Sequence, residues 1–479
     1  VEATSIESWK NATKLPFFIG AACNIAHYDY DGTSIGEQIL LQKDGGGIGI
    51  ISATRYSYAS SNYALCNNLY KTIFTLDSLK QIRTIGESLK IAKAYTSNDF
   101  YQNKRLYTLL GDPALRIAIP QYSIAIDSIN GKNAEEFADT VKSLSTLRVV
   151  GHIADVTNQI DSSYNGKLFI KLFDKEQTIT TLGNEGGDTF TFNSYTNVLF
   201  QGLADIANGV FSFQANIPQD ILYYNGKGKL SLYATNDTTQ ASGAYYDLII
   251  NGSESLTNDD YTGPQVSLFL NDSSFTSGSM TNQNPQLLIY VTDSSGINIS
   301  NAAIGHNIVL TIDDDESNQI ILNDFYYADI NTYVSGSILY QLKDLEEGNH
   351  TLTLTIWDAY NNVTETSIDF YVTNSGNITI SELYNYPNPM KDLTHFHFEH
   401  NQAGNEITVT IKIYDISGNV VKMIQQENTP GGFTDESLTW DGRSSNGSTM
   451  QSGIYPYTIE LQTQDGKKLY GKQKILLVK

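Results

Sequence analysis

The spacing of apolar residues changes near Pro120, and no single architecture accommodates both sides of that change. Before it, short unbroken apolar runs alternate with segments of helical period. The stretches at 15–22 and 45–53 ("GGGIGIISA") read as strands buried on both faces. Residues 34–43 ("SIGEQILLQK"), 62–74 and 78–95 ("SLKQIRTIGESLKIAKAY") read as helices. That alternation predicts α/β architecture on a parallel sheet. It closes at 107–120 with "YTLLGDPALRIAIP", where Gly-Asp-Pro marks a turn ahead of a final strand. After Pro120 the period is two: "KLFIKLFDK", "GVFSFQANIP", "GKLSLYATN", "QVSLFLND" and "HTLTLTIWDAYNN" alternate apolar and polar residues between Gly and Asn turns, as half-buried antiparallel strands do. The chain is therefore expected to be multidomain, with an α/β unit over 1–119 and three all-β units at 120–262, 263–375 and 376–479. The first two β units read as sandwiches, 263–375 with the strand spacing of an immunoglobulin-like one. No helix is expected in the last hundred residues, and Trp357 reads as a core residue.

A chain of 479 residues has the length for three or four separate cores. Its 30 Lys and Arg against 52 Asp and Glu give a formal charge of −22, which repels nucleic acid and anionic membranes and argues against either as a partner. The 31 tyrosines and 37 glycines, with many Asn, Ser and Thr, are the habit of β-rich extracellular proteins. No uninterrupted span of about 20 apolar residues is present, so neither a membrane helix nor a signal peptide is expected. The start at Val1 without Met is expected of a piece of a larger protein. Two cysteines make no disulfide framework, so the cores must hold the fold.

One of those cysteines occupies a telling place. Cys23 follows the first apolar strand, where "LPFFIGAACNIAHYDYDG" turns polar, and the carboxyl end of such a strand is where chemistry collects in α/β proteins. An exposed thiol there becomes a nucleophile if something stabilises its thiolate. Cys66, inside "NYALCNNLY", reads instead as a small buried hydrophobe. Of the seven histidines only His27 is close in sequence to Cys23; His395 and His397 share one strand face and read as solvated surface residues rather than a metal site. The acidic run at 311–319 reads as a solvated turn, without the oxygen-ligand spacing of a calcium loop. No cofactor is expected.

The segment "LPFFIGAACNIAHYDYDGTSIGEQILLQKDGGGIGIISATRYSYASSNYALCNNLYKTIF", followed by "LLGDPAL", resembles the carboxyl-terminal half of a gingipain-type cysteine peptidase domain, a caspase-like fold. Within that family it resembles the sortases of the bacterial type IX secretion system. The resemblance makes Cys23, in its Ala-Ala-Cys setting, the nucleophile. It places Glu37 at the opening of the next helix, as a support of the site or simply as a helix-starting residue. Arg55 and Tyr58, in the loop "SATRYSYAS", become walls of a substrate pocket. The family's catalytic histidine lies in a Gly-His-Gly-like motif upstream of residues matched here, so residues 1–479 alone are expected to be catalytically silent. A low thiol pKa in the isolated chain would point instead to His27.

The resemblance extends to the other end. "LYNYPNPMKDLTHFHFEH", "IKIYDISGNVV", "TWDGRSSNGSTMQSGIYPYTIEL" and "GKQKILLVK" are similar to the carboxyl-terminal sorting domain of type IX cargo. The implied function is that of a cell-surface, outer-membrane-associated peptidase and transpeptidase. Cys23 would cut secreted cargo ahead of its sorting domain and pass the acyl group to water or to an amine on a surface glycolipid. The carboxyl-terminal unit would dock on an outer-membrane shuttle protein. The linker 371–382 would be accessible if that unit were instead cleaved off. The other reading is a non-catalytic surface adhesin or scaffold.

Overall fold

The structure, a computed structural model, describes residues 3–79, 81–97, 103–184, 186–236, 238–254, 260–373, 378–430 and 432–478. The amino-terminal unit contains β1 (Phe17–Gly20), β2 (Gly49–Ala53) and β3 (Tyr107–Gly111), with helices α1 (Ala3–Glu7), α2 (Ile35–Leu41), α3 (Ala59–Ile73), α4 (Ile85–Tyr95) and α5 (Asn103–Leu106). β1 and β2 pair in parallel, from Phe17 opposite Gly49 to Gly20 opposite Ser52, as a single crossover through α2 requires. β3 pairs with β2 in the opposite sense, so the sheet is mixed rather than wholly parallel. The physical reason is the connection: α3 and α4 pack together between β2 and β3, and two helices in succession return the chain to the end it left. The last strand also lies before the Gly-Asp-Pro turn, not after it. Gly111 ends β3 at φ +132°, where an added Cβ would stand 3.0 Å from the Cα of Gly49, and residues 112–121 form neither helix nor strand.

The first two strands are where expected, but trimmed to 17–20 and 49–53. Ser34 caps α2 in a capping box with Glu37. Thr84 caps α4 by accepting from the Glu87 N–H at 3.2 Å, so that helix starts at Ile85 instead of residue 78. Ile51, Ala53, Leu65, Leu69, Ile85 and Tyr107 are buried on one side of the sheet against α3 and α4, and Ile39 and Ile50 on the other against α2.

Beyond residue 121 the described residues are strands with only three single-turn 3₁₀ segments. Strict alternation decides burial: Leu168, Ile170 and Leu172 are buried while Lys167 and Phe169 face out. Strands 210–216, 146–154, 122–129, 240–253, 226–235, 166–173 and 198–207 lie side by side in that order, and 198–207 pairs back to 210–216, closing the sheet on itself. A bridge between Gly202 and Ala328 joins that sheet to strands 326–328, 335–341, 286–292 and 265–270. These pack against a second sheet, whose long hairpin is 348–357 with 363–372, in one continuous core running from Ile124 to Val372. Trp357 is not in that core. It sits on the opposite pleat from buried Ile356, half-buried, with its ring centroid 4.4 Å from that of His306 and the two planes tilted by 39°. The acidic run at 311–319 is a turn: the Asp313 carboxylate accepts from the Thr351 N–H at 2.8 Å and lies 2.7 Å from His350 Nδ1.

The carboxyl-terminal unit has a core of its own, in which Ile407, Val409, Ile411, Tyr457, Ile459 and Trp440 are all but fully buried between two four-stranded sheets. The expected linker at 371–382 falls partly, at 374–377, outside the described residues. His397 stacks on Tyr384 and pairs with Glu436, and His395 is exposed. His400 is fully buried, its Nδ1 accepting from the Gln402 N–H at 3.1 Å, and burial pushes its pKa down to about 4 although Asp435 pulls the other way. An unfolded chain protonates this histidine near 6.5, so its contribution is whole above that pH and is lost as pH falls toward 4. The loss expected for this unit is roughly 3 kcal/mol. Denaturant melts at pH 7 and 4.5, read by Trp440 fluorescence with Trp9 and Trp357 changed to Phe, should show it, and His400→Gln should flatten the difference.

Candidate active site

The thiol of Cys23 is exposed, three residues beyond the carboxyl end of β1, and the chain there is pinned to the neighbouring strand end. Ser52 Oγ donates to the Gly20 carbonyl at 2.6 Å, and the same hydroxyl would stand 2.8 Å from a Cβ at residue 20, so only glycine permits the approach. The Ala26 N–H donates to the Ala53 carbonyl at 3.1 Å and the Asn24 N–H to that of Arg55 at 3.4 Å, with Asn24 in the left-handed region at φ +58°. The loop after β1 thus runs along the exit of β2, which brings Cys23 to Ser57.

Ser57 surrounds the sulfur. Its N–H donates to Sγ at 3.2 Å, its carbonyl oxygen lies 3.2 Å from Sγ to receive the thiol proton, and its Oγ is 3.6 Å away. The Ser57 N–H, and after it the hydroxyl, hold the Cys23 thiol below the usual range, with slight burial opposing them. A low thiol, which the sequence reading would have credited to His27, has its source in Ser57. His27 Nε2 lies 3.4 Å from Asp29 Oδ1, and among the described residues no histidine is bonded to Sγ. Cys66 is buried on α3, and burial pushes its thiol up.

The remaining expected site residues divide. Arg55 lies on the same rim, but its guanidinium is committed to both oxygens of Asp29, at 2.8 and 2.5 Å, and that pair holds the Asp29 carboxyl low. Tyr58 stands at the N-cap of α3 with its ring half exposed, and its carbonyl accepts from Asn62 N–H and Asn103 Nδ2. Glu37 closes the capping box, accepting from the Ser34 N–H at 2.8 Å and its hydroxyl at 2.7 Å, which keeps its carboxyl low. No bond joins Glu37 to Cys23, so the structure shows its helix-starting role.

Sequence reading missed Ser57, Asn62, Asn103 and Asp29. Ser57 lies in the loop singled out for the pocket, but nothing in that loop marks which residue meets the sulfur. Elsewhere, Asp260, Asp293 and Asp358 bring carboxylate oxygens within 4.8 Å of one another, the grouping among the described residues suited to a metal ion. Burial first, and then the neighbouring carboxylates, push Asp358 up to about 6.

Compared with known proteins, residues 1–118 match Peptidase family C25 and residues 390–466 match the FlgD Ig-like domain, inside the unit likened above to a sorting domain. No curated protein matches. Among solved structures, dimeric latent PorU from Porphyromonas gingivalis is 28% identical over 85% of this chain and 39% of that chain, with a TM-score of 0.37. The complex of Porphyromonas gingivalis RgpB pro- and mature domains is 14% identical over 50% of this chain and 49% of that one, with a TM-score of 0.23. A tetra-tandem repeat from the extending region of a large adhesion protein is 12% identical over 74% of both chains, with a TM-score of 0.17. This chain thus spans 39% of the length of the PorU chain it matches. Residues 1–118, with Cys23 three residues past the first strand, are therefore similar to Peptidase family C25, the gingipain family of cysteine peptidases.

Proposed function

We propose that this chain is part of a cell-surface cysteine peptidase and transpeptidase that removes sorting domains from secreted cargo, with Cys23 as the nucleophile. The observation that carries the reading is the Ser57 N–H donating to an exposed Sγ at a strand end, a setting that favours thiolate at an accessible sulfur. The thiolate attacks the carbonyl carbon of the scissile peptide, the amine leaves with a proton from the general acid, and the thioester is resolved by water or by a surface glycolipid amine. Arg55 and Tyr58 stand on the rim of Cys23 as the pocket wall of this reading. Docking on an outer-membrane shuttle protein falls to residues 376–479. No helix among the described residues is long and apolar enough to cross a membrane.

The base in this reading comes from a segment other than residues 1–479, since His27 faces Asp29. Residues 1–479 by themselves are expected to alkylate at Cys23 yet not to turn over a peptide substrate. Chromogenic peptide assays with and without an added upstream segment carrying the family histidine would test this. Turnover by residues 1–479 alone would assign the base to His27. The missing bond to a histidine also favours a second reading, a non-catalytic scaffold, which predicts no turnover in either assay.

A further inference from the structure

Behind Ser57 stands a chain of two buried asparagines that the family match does not account for. Asn62, on the first turn of α3 and 5% exposed, donates from Nδ2 to Ser57 Oγ at 3.0 Å and to the Ala21 carbonyl at 3.4 Å. It therefore grips both segments that meet at the sulfur, the residue two before Cys23 and the residue that donates to it. Its own Oδ1 accepts from Asn103 Nδ2 at 2.8 Å, and Asn103, fully buried at the start of α5, also donates to the Tyr58 carbonyl at 2.9 Å. The directions are fixed by these partners. With the Asn62 amide on one lone pair of Ser57 Oγ, the Ser57 hydroxyl proton is free to point at a Cys23 thiolate, 3.6 Å off.

Buried amides of this kind are expensive unless satisfied, and the Asn103 Oδ1 is buried without a partner. A packing role would be met more cheaply by an apolar side chain. We propose that Asn62 and Asn103 are positioning residues for Cys23, fixing Ser57 so that its N–H and hydroxyl both face the sulfur. This rests on the reading of Cys23 as the nucleophile. Neither asparagine meets a reacting atom; both act through Ser57.

The test is the pH profile of iodoacetamide alkylation at Cys23, followed by mass spectrometry on the intact chain of residues 1–479, beside a thermal melt. Asn62→Ala and Asn103→Ala are expected to move the midpoint upward and slow alkylation at pH 7 by about threefold to tenfold, as less thiolate is present. Asn62→Asp keeps the acceptor for Asn103 but has no donor for Ser57, and should shift the midpoint at least as far. Ser57→Ala, on a half-buried loop that tolerates the change, should move it in the same direction without loss of folding, which covers the case in which a buried asparagine variant unfolds. A lowered melting temperature with the wild-type midpoint overturns the proposal, because packing alone would give that result. An ordinary thiol midpoint in the wild type overturns it together with the nucleophile reading, whereas an acidic Cys23 in every folded variant overturns the positioning role alone.

Discussion

Cys23→Ala in the complete enzyme, with its base supplied, is expected to lower peptide cleavage by on the order of 10⁴-fold or more. On the reading of Cys23 as nucleophile, alanine removes the atom that would carry the acyl group, and the neighbouring Ser57 Oγ, 3.6 Å from the sulfur, is held by Asn62. Cys66 cannot take over, since it is buried on α3 with its thiol pushed up. Stability should move by no more than about 0.5 kcal/mol, because an exposed side chain is lost and water can solvate the freed Ser57 N–H. Steady-state kinetics together with a melt would check both halves. Full activity in the variant would remove Cys23 from the mechanism.

Deleting residues 376–479 from the complete protein is expected to abolish surface assembly while cleavage of a soluble peptide continues at the original rate. The two cores are separate: the continuous one ends at Val372, and the carboxyl-terminal one is built from Met390 to Leu477. Among the described residues, the bonds between them include Ser279 Oγ donating to Glu399 at 2.9 Å, Asn401 Nδ2 to Thr373 Oγ1 at 3.4 Å and Thr379 Oγ1 to the Met280 sulfur at 3.6 Å. Cutting there exposes little apolar surface, so the amino-terminal core and Cys23 should be undisturbed. Cell fractionation and peptide turnover measured on the same truncation would decide it. Normal surface assembly would end the docking role, and lost cleavage would mean that the last unit supports the active site.

What the sequence determined by itself was whatever depends on period and on near neighbours. The change of period at Pro120 separates the α/β unit from the β units because a buried face needs apolar residues every second or every 3.6 positions, and no chain escapes that geometry. Leu168, Ile170 and Leu172 went inward and Cys66 was buried for the same local reason. Ser34 and Glu37 sit three residues apart, so their capping box was within reach of sequence logic, and the exposed place of Cys23 past a strand end was legible from the strand before it.

Tertiary structure alone decided the rest, since it depends on which segments meet. The sense of β3 follows from two packed helices ahead of it, and a strand's direction leaves no trace in its own residues. Trp357 was assigned to the core from its type, yet the pleat turned it to His306. The lowering of the Cys23 thiol comes first from the backbone of Ser57, 34 residues on, and Ser57 is bonded by Asn62, which in turn accepts from Asn103, 46 residues beyond Ser57. A backbone N–H is the same in every residue but proline, and asparagine is common in this chain, so neither carries a mark in the sequence. Folding brings them together, with the Ser57 N–H on the sulfur and the asparagines behind Ser57.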